Sequence, residues 1–345
     1  GLVAVVAERP LPPAPGPPMP LYRTEFSGYS VEFSPFLETR LACATAQNFG
    51  IVGNGRQYVL DVDPEEQLIE CAYSFDTNDG LYDCAWSEEN ENHLVSVSGD
   101  GSVKVWDLEA LDNPLRSLHE HENEAYSVDW NLQGKDTFVT GSWDQSIKVW
   151  NMDQETSLVT YKEHTYCVYS TIWAPTSNDR FASASGDCTA KIWDVNEVNS
   201  VQTLHAHDYE ILTCDWNKYN ENILVTGSVD KTIRVWDLRA PEQELSTLRG
   251  HTSAVRRVKC SPHDEHIIAS CSYDMTMIVW DSEQADSVLY NHNHHTEFVV
   301  GIDFNLFVEG QVASCSWDEN VCVWELGQNP MEDRLYSEER IEDLP

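Results

Sequence analysis

Basic residues are scarce in this sequence, with 21 Lys and Arg against 58 Asp and Glu and a formal net charge of −37. A chain of this charge repels nucleic-acid phosphates and anionic lipids and attracts basic partners, although solubility alone would explain the charge equally well. No run of about 18 apolar residues is present, so we expect no direct membrane insertion. Ten cysteines are scattered without a CxxC pair. This favours reduced thiols in the cytosol over disulfides or a zinc site.

A repeated motif accounts for much of what is present. A tryptophan in an aliphatic stretch, usually followed by aspartate, recurs at intervals of 43 or 44 residues. The six tryptophans are Trp106, Trp150, Trp193, Trp236, Trp280 and Trp324. The segments between them alternate apolar and polar residues, as half-buried strands do. A repeat of this length with a Trp-Asp dipeptide is typical of a four-stranded propeller blade, so the predicted fold is an all-β, WD-repeat β-propeller.

Polar residues recur in phase with the tryptophans: an aspartate six residues before each, a Ser or Thr four residues earlier again, and a histidine upstream. We predict that they form one buried hydrogen-bond chain per blade, because buried polar groups need partners. The predicted chains contain His121, Thr140, Asp144 and Trp150; His164, Ser183, Asp187 and Trp193; His207, Thr226, Asp230 and Trp236; His251, Ser270, Asp274 and Trp280; and His295, Ser314, Asp318 and Trp324. A hydrolase needs one such set, whereas this chain repeats it, so we expect no enzyme.

A seventh, degenerate repeat precedes the six explicit ones. Phe26–Pro35 and Leu41–Gln47 align with its first strands, and Tyr58 stands where the tryptophan should be. The last repeat has no convincing outer strand after Trp324. We expect Leu21–Phe26 to supply that strand and to close a ring of seven blades, which leaves only short, protected sheet edges.

Three regions are expected along the chain. Residues 1–18 are rich in proline, which predicts a disordered or expression-derived extension. Residues 19–326 form the seven-bladed propeller. Residues 327–345 are polar and are expected to be an acidic C-terminal tail.

The binding surface is expected on the face of the ring that carries the loop after each histidine and the turn with each aspartate. Side chains there can vary without disturbing a blade, yet large aromatics and acids cluster at these positions, and such clusters are typical of interface anchors. The candidates are Asp79, Tyr82, Glu124, Tyr126, Trp143, Tyr169, Glu210, Arg256, Tyr273, Phe298 and Trp317. Some of the aromatics could instead pack between blades.

Two further groups invite a functional interpretation. Arg256 and Arg257 form a basic pair that could meet an acidic group on a partner or pair with a neighbouring blade. His292, His294 and His295 resemble a metal cluster. However, His295 belongs to the hydrogen-bond chain of its blade, and no Cys or carboxylate completes a ligand set, so we expect no metal and no cofactor.

Seven stretches are similar to the family of receptors for the type 2 peroxisomal targeting signal. They are RLACATAQNFGI at Arg40–Ile51, DGLYDCAWSE at Asp79–Glu88, YSVDWN at Tyr126–Asn131, VTGSWD at Val139–Asp144, YSTIWAP at Tyr169–Pro175, EILTCDWNKYNENILVTG at Glu210–Gly227 and HHTEFVVGIDFN at His294–Asn305. The resemblance runs from about Met19 to Leu326 and includes the degenerate first blade. Departures are mild: Asn151 and Glu325 replace the aspartate of the Trp-Asp pair, and Thr77 replaces the histidine of the second blade.

The resemblance implies a cytosolic import receptor that shuttles to the peroxisome. Its cargo would be folded matrix proteins, such as thiolase, that carry an N-terminal helical signal similar to (R/K)-(L/V/I)-x5-(H/Q)-(L/A). The resemblance also implies a co-receptor that covers part of the signal and connects the complex to the peroxisomal docking complex. On this hypothesis Asp79, Glu124 and Glu210 meet the basic side of the signal, and the aromatic candidates meet its apolar side.

Two other functions fit an acidic propeller. A histone-binding WD-repeat chaperone subunit would also hold basic segments, but such proteins carry a long N-terminal helix that the proline-rich start cannot form. A ubiquitin-ligase substrate adaptor is suggested by the Trp-Asp-x-Arg motif at Trp236–Arg239. That motif is weak, because Arg239 is explained equally well as a surface residue after a strand.

Overall fold

Seven four-stranded antiparallel sheets form a closed ring in the computed structural model, which describes residues 19–110, 113–284 and 287–326. The expected extension at 1–18 and the expected tail at 327–345 lie outside the described residues. The predicted all-β, seven-bladed propeller is confirmed. None of the helices in the described ranges is long and apolar enough to cross a membrane.

Each blade contains four successive strands, numbered from the inside of the ring outward. Blade 1 contains β2 (Ser27–Phe33), β3 (Arg40–Ala46), β4 (Gly55–Asp63) and β5 (Leu68–Thr77), with a 3₁₀ turn at Gln47–Gly50. Blade 2 contains β6 (Leu81–Trp86), β7 (His93–Ser98), β8 (Ser102–Asp107) and β9 (Arg116–His119). Blade 3 contains β10 (Ala125–Trp130), β11 (Thr137–Ser142), β12 (Ile147–Asn151) and β13 (Val159–Tyr161). Blade 4 contains β14 (Val168–Trp173), β15 (Arg180–Ser185), β16 (Ala190–Asp194) and β17 (Gln202–Leu204).

The remaining blades follow the same plan. Blade 5 contains β18 (Ile211–Trp216), β19 (Ile223–Ser228), β20 (Thr232–Asp237) and β21 (Ser246–Arg249). Blade 6 contains β22 (Val255–Cys260), β23 (Ile267–Ser272), β24 (Met277–Asp281) and β25 (Val288–His292). Blade 7 contains β26 (Val299–Phe304), β27 (Gln311–Ser316) and β28 (Asn320–Glu325), and its fourth strand is β1 (Leu21–Arg23).

The ring closes through β1, as predicted, but with a shorter strand than Leu21–Phe26. Leu21 pairs with Cys322 and Arg23 with Asn320 in antiparallel register. The strand then ends because the Thr24 hydroxyl donates to the carbonyl of Phe26 at 2.6 Å, which turns the chain toward blade 1.

The hydrophobic core lies between neighbouring blades. One cluster joins Ala42 and Val59 of blade 1 to Leu94 and Trp106 of blade 2. A sheet between two neighbours is buried on both faces, which explains why the second strand of each blade is rich in small and apolar residues and is almost wholly buried along its length. A blade therefore cannot bury its core alone and depends on the neighbour at each side.

Carboxylates on the inner strands hold adjacent blades together around the central channel. In each case an aspartate Oδ2 accepts a backbone N–H from the inner strand of the next blade. The pairs are Asp83 with Val128, Asp129 with Trp173, Asp215 with Cys260 and Asp303 with Phe33, at 3.2, 2.6, 2.7 and 2.9 Å. The Asp303 bond joins blade 7 to blade 1 and so reinforces the closure.

A polar chain runs through blade 3 between its turn and its core. His121 Nδ1 lies 2.9 Å from Asp144 Oδ2, and its Nε2 lies 2.8 Å from Thr140 Oγ1. The Trp150 indole N–H donates to the same hydroxyl at 2.8 Å. The corresponding side chains of blades 4, 5 and 6 are bonded in the same way.

Blade 7 departs from this pattern. His295 bonds Asp318 and Ser314 at 3.0 and 2.9 Å, but the buried Trp324 indole N–H has no hydrogen-bond partner among the residues that the structure describes. The Trp324 ring instead lies against His292, with ring centroids 3.8 Å apart. The prediction that Trp324 completes the chain of its blade is therefore wrong, because the contact with the neighbouring blade sets the position of its ring.

Candidate binding cavity at the channel mouth

Every inner strand carries a β-bulge near its start. The register with the second strand slips by one residue at the same place in all seven blades. The extra residues are Tyr29, Tyr82, Tyr126, Tyr169, Leu212, Arg256 and Val300. A bulge changes the direction of a side chain. Six of these seven side chains line one open cavity of about 510 Å³ at the end of the central channel, called the mouth cavity below. Val300 instead packs into the core between blades 7 and 1.

Four tyrosines form a continuous arc along one side of this cavity. Ring centroids are 5.1 Å apart for Tyr29 and Tyr82, 5.1 Å for Tyr82 and Tyr126, and 5.7 Å for Tyr126 and Tyr169. These separations are favourable for tilted and edge-to-face aromatic pairs. Because the four rings support one another and come from four blades, the arc is a preformed surface.

Three more aromatics come from the turns before the blade aspartates. Trp143, Tyr273 and Trp317 line the cavity, and Trp143 lies 5.4 Å from the Tyr126 ring. Phe298 does not line the cavity, but it packs 4.9 Å from Tyr273 and 5.2 Å from Trp317 and so supports both rings from behind.

The loop between β3 and β4 of blade 1 (residues 47–54, the first-blade loop) forms one wall of the cavity, and its residues were absent from the predicted site. The hydroxyl of Tyr29 donates to the carbonyl of Phe49 at 2.6 Å, and that of Tyr82 donates to the carbonyl of Gly50 at 2.7 Å. The Phe49 ring then lies 5.4 Å from Trp317. Asn48 and Phe49 have φ of 50° and 56°, a conformation that is uncommon outside glycine. The unusual length of this loop and its apolar Phe-Gly-Ile-Val run were the signals that could have indicated it.

Carboxylates occupy one side of the mouth. Glu124 and Glu210 line the cavity, and Glu210 Oε2 accepts from the Tyr169 hydroxyl at 3.1 Å. Asp79 lies just outside the lining, where its Oδ1 accepts the N–H of Gly80 at 2.8 Å. Gly99 makes room for it, since a Cβ at that position would come within 3.0 Å of the same oxygen.

Burial and these carboxylates act together on the tyrosines. Burial raises the pKa of Tyr82 above its ordinary value, and the neighbouring Tyr126, Glu124 and Asp79 raise it further. Burial and Glu210 likewise raise the pKa of Tyr169. Tyr82 and Tyr169 therefore stay neutral hydrogen-bond donors at physiological pH, and their hydroxyls add no negative charge to that of the carboxylates.

Arg256 and Arg257, the basic pair of blade 6, make different contacts. Both terminal nitrogens of Arg257 donate to Asp83 Oδ1 at 3.0 Å, which links blade 6 to blade 2 across the channel. Arg256 lines the cavity, and its guanidinium carbon lies 4.9 Å from the centroid of the Tyr126 ring, a cation–π contact. Of the two alternatives that the sequence left open, internal pairing with another blade holds for Arg257. A contact between Arg256 and an acidic group on a partner stays a prediction.

The histidine triplet lies away from the cavity. His292 packs against Trp324, and burial with the nearby His294 lowers the pKa of His292 to about 4. No group of three or more His, Cys, Asp or Glu side chains is placed to hold a metal ion within the described ranges.

Comparison with protein families agrees with this architecture. Residues 50–280, more than half of the chain, match the family model described as EIPR1 beta-propeller. The chain belongs to this β-propeller family. Residues 287–325 also match the WD domain, G-beta repeat, so the seventh blade of this family member carries the repeat that the sequence predicted.

Several curated proteins share a segment with this family member. The peroxisomal targeting signal 2 receptor of Dictyostelium discoideum is 61% identical over 113 residues, which cover 32% of this chain and 35% of that protein. Peroxisome biogenesis protein 7 of Arabidopsis thaliana is 52% identical over 113 residues, covering 32% and 36%. The peroxisomal targeting signal 2 receptor of Homo sapiens is 52% identical over 102 residues, covering 30% and 31%. The chain thus matches these relatives over about a third of their length.

Proposed function

We propose that this protein is a cytosolic import receptor whose propeller binds the N-terminal helical type 2 targeting signal of folded peroxisomal matrix proteins. Its role is recognition rather than catalysis. The observation that carries the proposal is the mouth cavity, where carboxylates and a tyrosine arc face the same space. The receptor names of the relatives support the same function.

A short amphipathic helix suits this cavity. A helix with its side chains is about 10–12 Å across, so a cavity of about 510 Å³ admits one face of it. Glu124 and Glu210 are placed to receive basic side chains from that face, and Tyr126 and Trp143 to receive apolar ones. The net charge of −37 also attracts a basic segment before contact.

A co-receptor is expected beside the first-blade loop. Ile51 is 84% exposed and Val52 is 69% exposed, next to the cavity wall that Phe49 forms with Trp317. Clustered exposed apolar side chains are typical of a surface that another protein covers. A protein bound there would touch both propeller and signal. It would also link cargo, such as thiolase, to the peroxisomal docking complex while the receptor shuttles between cytosol and peroxisome.

Binding of a fluorescent peptide with the pattern (R/K)-(L/V/I)-x5-(H/Q)-(L/A) tests the proposal by fluorescence anisotropy. The peptide is titrated with and without a co-receptor fragment, at low and at high salt. We expect saturable binding that weakens with salt, because rim carboxylates and a basic peptide attract through screened charges. Reversal of the leading Arg of the peptide to Glu should abolish it.

Matched variants locate the site. Glu124→Gln and Glu210→Gln should each weaken binding about fivefold or more, whereas Glu122→Gln removes the same charge from an exposed side chain outside the cavity and should change little. No binding of the peptide even with a matched co-receptor, together with tight capture of a histone tail, would refute the receptor role.

A further inference from the structure

The floor of the mouth cavity contains a buried arginine, Arg256, that the described residues pair only in part, although the side chain of Tyr273 hydrogen-bonds it. Arg256 is only 2% exposed, and its Nε and Nη2 have no hydrogen-bond partner among the described residues. Leaving a buried guanidinium donor unsatisfied is costly, because such groups lose their hydration on folding. The contrast with the adjacent Arg257 is sharp, since both terminal nitrogens of Arg257 bond Asp83.

Arg256 is held at this place by the bulge and by an aromatic ring. The bulge between Val255 and Arg257 makes Arg256 the extra residue of its strand. From blade 6 its guanidinium reaches the Tyr126 ring of blade 3, across the ring of blades, at 4.9 Å. The side chain therefore spans the top of the channel and closes the cavity from below.

A second donor in the cavity lining also lacks an acceptor. The indole N–H of Trp317 is buried and has no hydrogen-bond partner in the described part of the chain. The acceptors of the mouth are on its acidic side: Glu124 and Glu210 line the cavity, and Glu210 is bonded by Tyr169. The charge of Asp83 also acts on Arg256, but the Asp83 carboxylate is hydrogen-bonded to Arg257. The cavity thus combines an acidic rim with a floor of unused donors.

We propose that Arg256, with Trp317 beside the same space, binds an sp² oxygen on a side chain of the bound segment, either a carboxylate or an amide carbonyl. The ligand is therefore dipolar: a basic group meets the rim carboxylates, and an oxygen acceptor reaches the floor. This assignment rests on the proposed function. It adds the requirement that the bound segment carry an oxygen acceptor, which attraction of a basic segment to an acidic surface does not impose.

Two ligands of the same size differ in whether they supply a hydrogen-bond acceptor to the buried donors of Arg256 and Trp317. A ligand with an oxygen at the floor pairs donors that are otherwise left unsatisfied, whereas an apolar group of the same size removes water from them and offers nothing in return. Sites built to hydrogen-bond a ligand reject apolar analogues strongly for this reason. The planar fork of arginine suits a carboxylate in particular.

The assignment is tested by measuring whether replacement of Arg256 changes which side chain is preferred at one position of the peptide. Each residue of the fluorescent peptide downstream of its leading basic residue is replaced in turn by Gln, Glu and Leu. Every peptide is titrated against the full chain and its Arg256→Met, Arg256→Lys and Arg239→Met variants. Arg239 is a matched control, because it pairs with Asp237 on the exposed surface and its loss changes the net charge equally.

We expect one peptide position at which Gln or Glu binds about tenfold or more tightly than Leu to the unaltered chain and to Arg239→Met. Arg256→Met should remove this preference, and Arg256→Lys should keep part of it. A preference for Glu over Gln identifies the group as a carboxylate, and equal binding identifies a carbonyl.

Binding of all peptides to Arg256→Met within twofold of Arg239→Met would overturn the assignment while leaving the receptor role intact. Failure of the unaltered chain to bind any peptide would overturn the receptor role and the assignment with it. Thermal unfolding of each variant shows whether it is folded, and Arg256→Lys keeps the test decisive if Arg256→Met does not fold.

Discussion

Asp129 lies in the central channel, where it holds blade 3 to blade 4. Its Oδ2 accepts the backbone N–H of Trp173 at 2.6 Å. Burial raises the pKa of this carboxyl to about 7, although the bond from Trp173 and the charges of Lys259 and Lys218 act in the opposite direction. We predict that Asp129→Asn stabilises the fold in alkaline solution, because asparagine keeps an acceptor oxygen without the buried charge.

The size of the effect follows from the difference between the folded and the unfolded chain. An aspartate in an unfolded chain has a pKa near 3.8, and the folded value is about 7. A carboxyl with a raised folded pKa destabilises the fold progressively as the pH rises from the lower value to the higher, and by a constant amount above it. About three units correspond to ~4 kcal/mol at most. The side chain of Asp129 is only partly buried, so solvent screens its charge and we expect about 2 kcal/mol.

Differential scanning calorimetry and urea unfolding at pH 5 and pH 8.5 provide the measurement. The gain from Asp129→Asn should be about 1–3 kcal/mol larger at pH 8.5, with a correspondingly larger rise in Tm. Asp303→Asn is the matched control. Asp303 also accepts a backbone N–H, from Phe33, but its Oδ1 lies 3.3 Å from Lys259 Nζ. Its amide variant should destabilise the fold at both pH values.

A gain from Asp129→Asn that is the same at both pH values would refute the reasoning, because the carboxyl would then be ionised in the folded chain throughout this range. A loss at pH 8.5 would show that the charge strengthens the bond to Trp173 more than burial opposes it.

Three other perturbations test the blade architecture. Trp150→Phe should lower the free energy of unfolding by about 1–2 kcal/mol more than Trp324→Phe, because Trp150 donates to Thr140 whereas the Trp324 N–H has no acceptor within the described ranges; equal losses in urea unfolding would contradict this. Burial alone would raise the pKa of Asp230, but hydrogen bonds from His207 and Thr232 lower it to about 2. Its stabilisation is therefore present above about pH 4 and is lost toward pH 2, so the deficit of Asp230→Asn, about 1–2 kcal/mol at pH 7, should shrink in acid; a deficit that is independent of pH would contradict the role of its charge. Gly301→Ala should cost about 1–3 kcal/mol, because a Cβ there would lie 2.5 Å from Cys315 Sγ and 3.0 Å from the backbone of Ser30; an unchanged Tm would show that the seam between blades 7 and 1 can relax.

Periodicity was sufficient to predict the blades, because the tryptophan and aspartate recur at fixed offsets whatever the loops do. It was not sufficient to place individual rings. Trp324 has the same sequence context as Trp150, yet contact with His292 removes it from the hydrogen-bond chain. Such a contact depends on how neighbouring blades pack, which no single repeat encodes.

The cavity shows a similar division. Tyr82, Tyr126 and Tyr169 were predicted at the mouth from their position after the histidine, but the bulge that re-aims them is an extra residue that a two-residue alternation does not reveal. The wall at Phe49 was missed because residues with positive φ, held by tyrosine hydroxyls from two blades, have no periodic signature. The sequence also could not separate the contacts of Arg256 from those of Arg257, since Arg256 is the extra residue of the bulge whereas Arg257 pairs with Cys271.

The closure of the ring by β1 has a consequence for how the protein is made. Leu21–Arg23 leaves the ribosome before any blade exists, yet its hydrogen-bond partner Asn320–Glu325 is synthesised after every other strand of the ring. The nascent chain must therefore keep this short edge unpaired while six blades assemble. The mouth cavity, which takes Tyr29 from blade 1 and Trp317 from blade 7, is complete only when the two ends meet. A ribosome-bound or truncated chain consequently has an incomplete mouth cavity, and under the proposed function it could not yet capture a targeting signal.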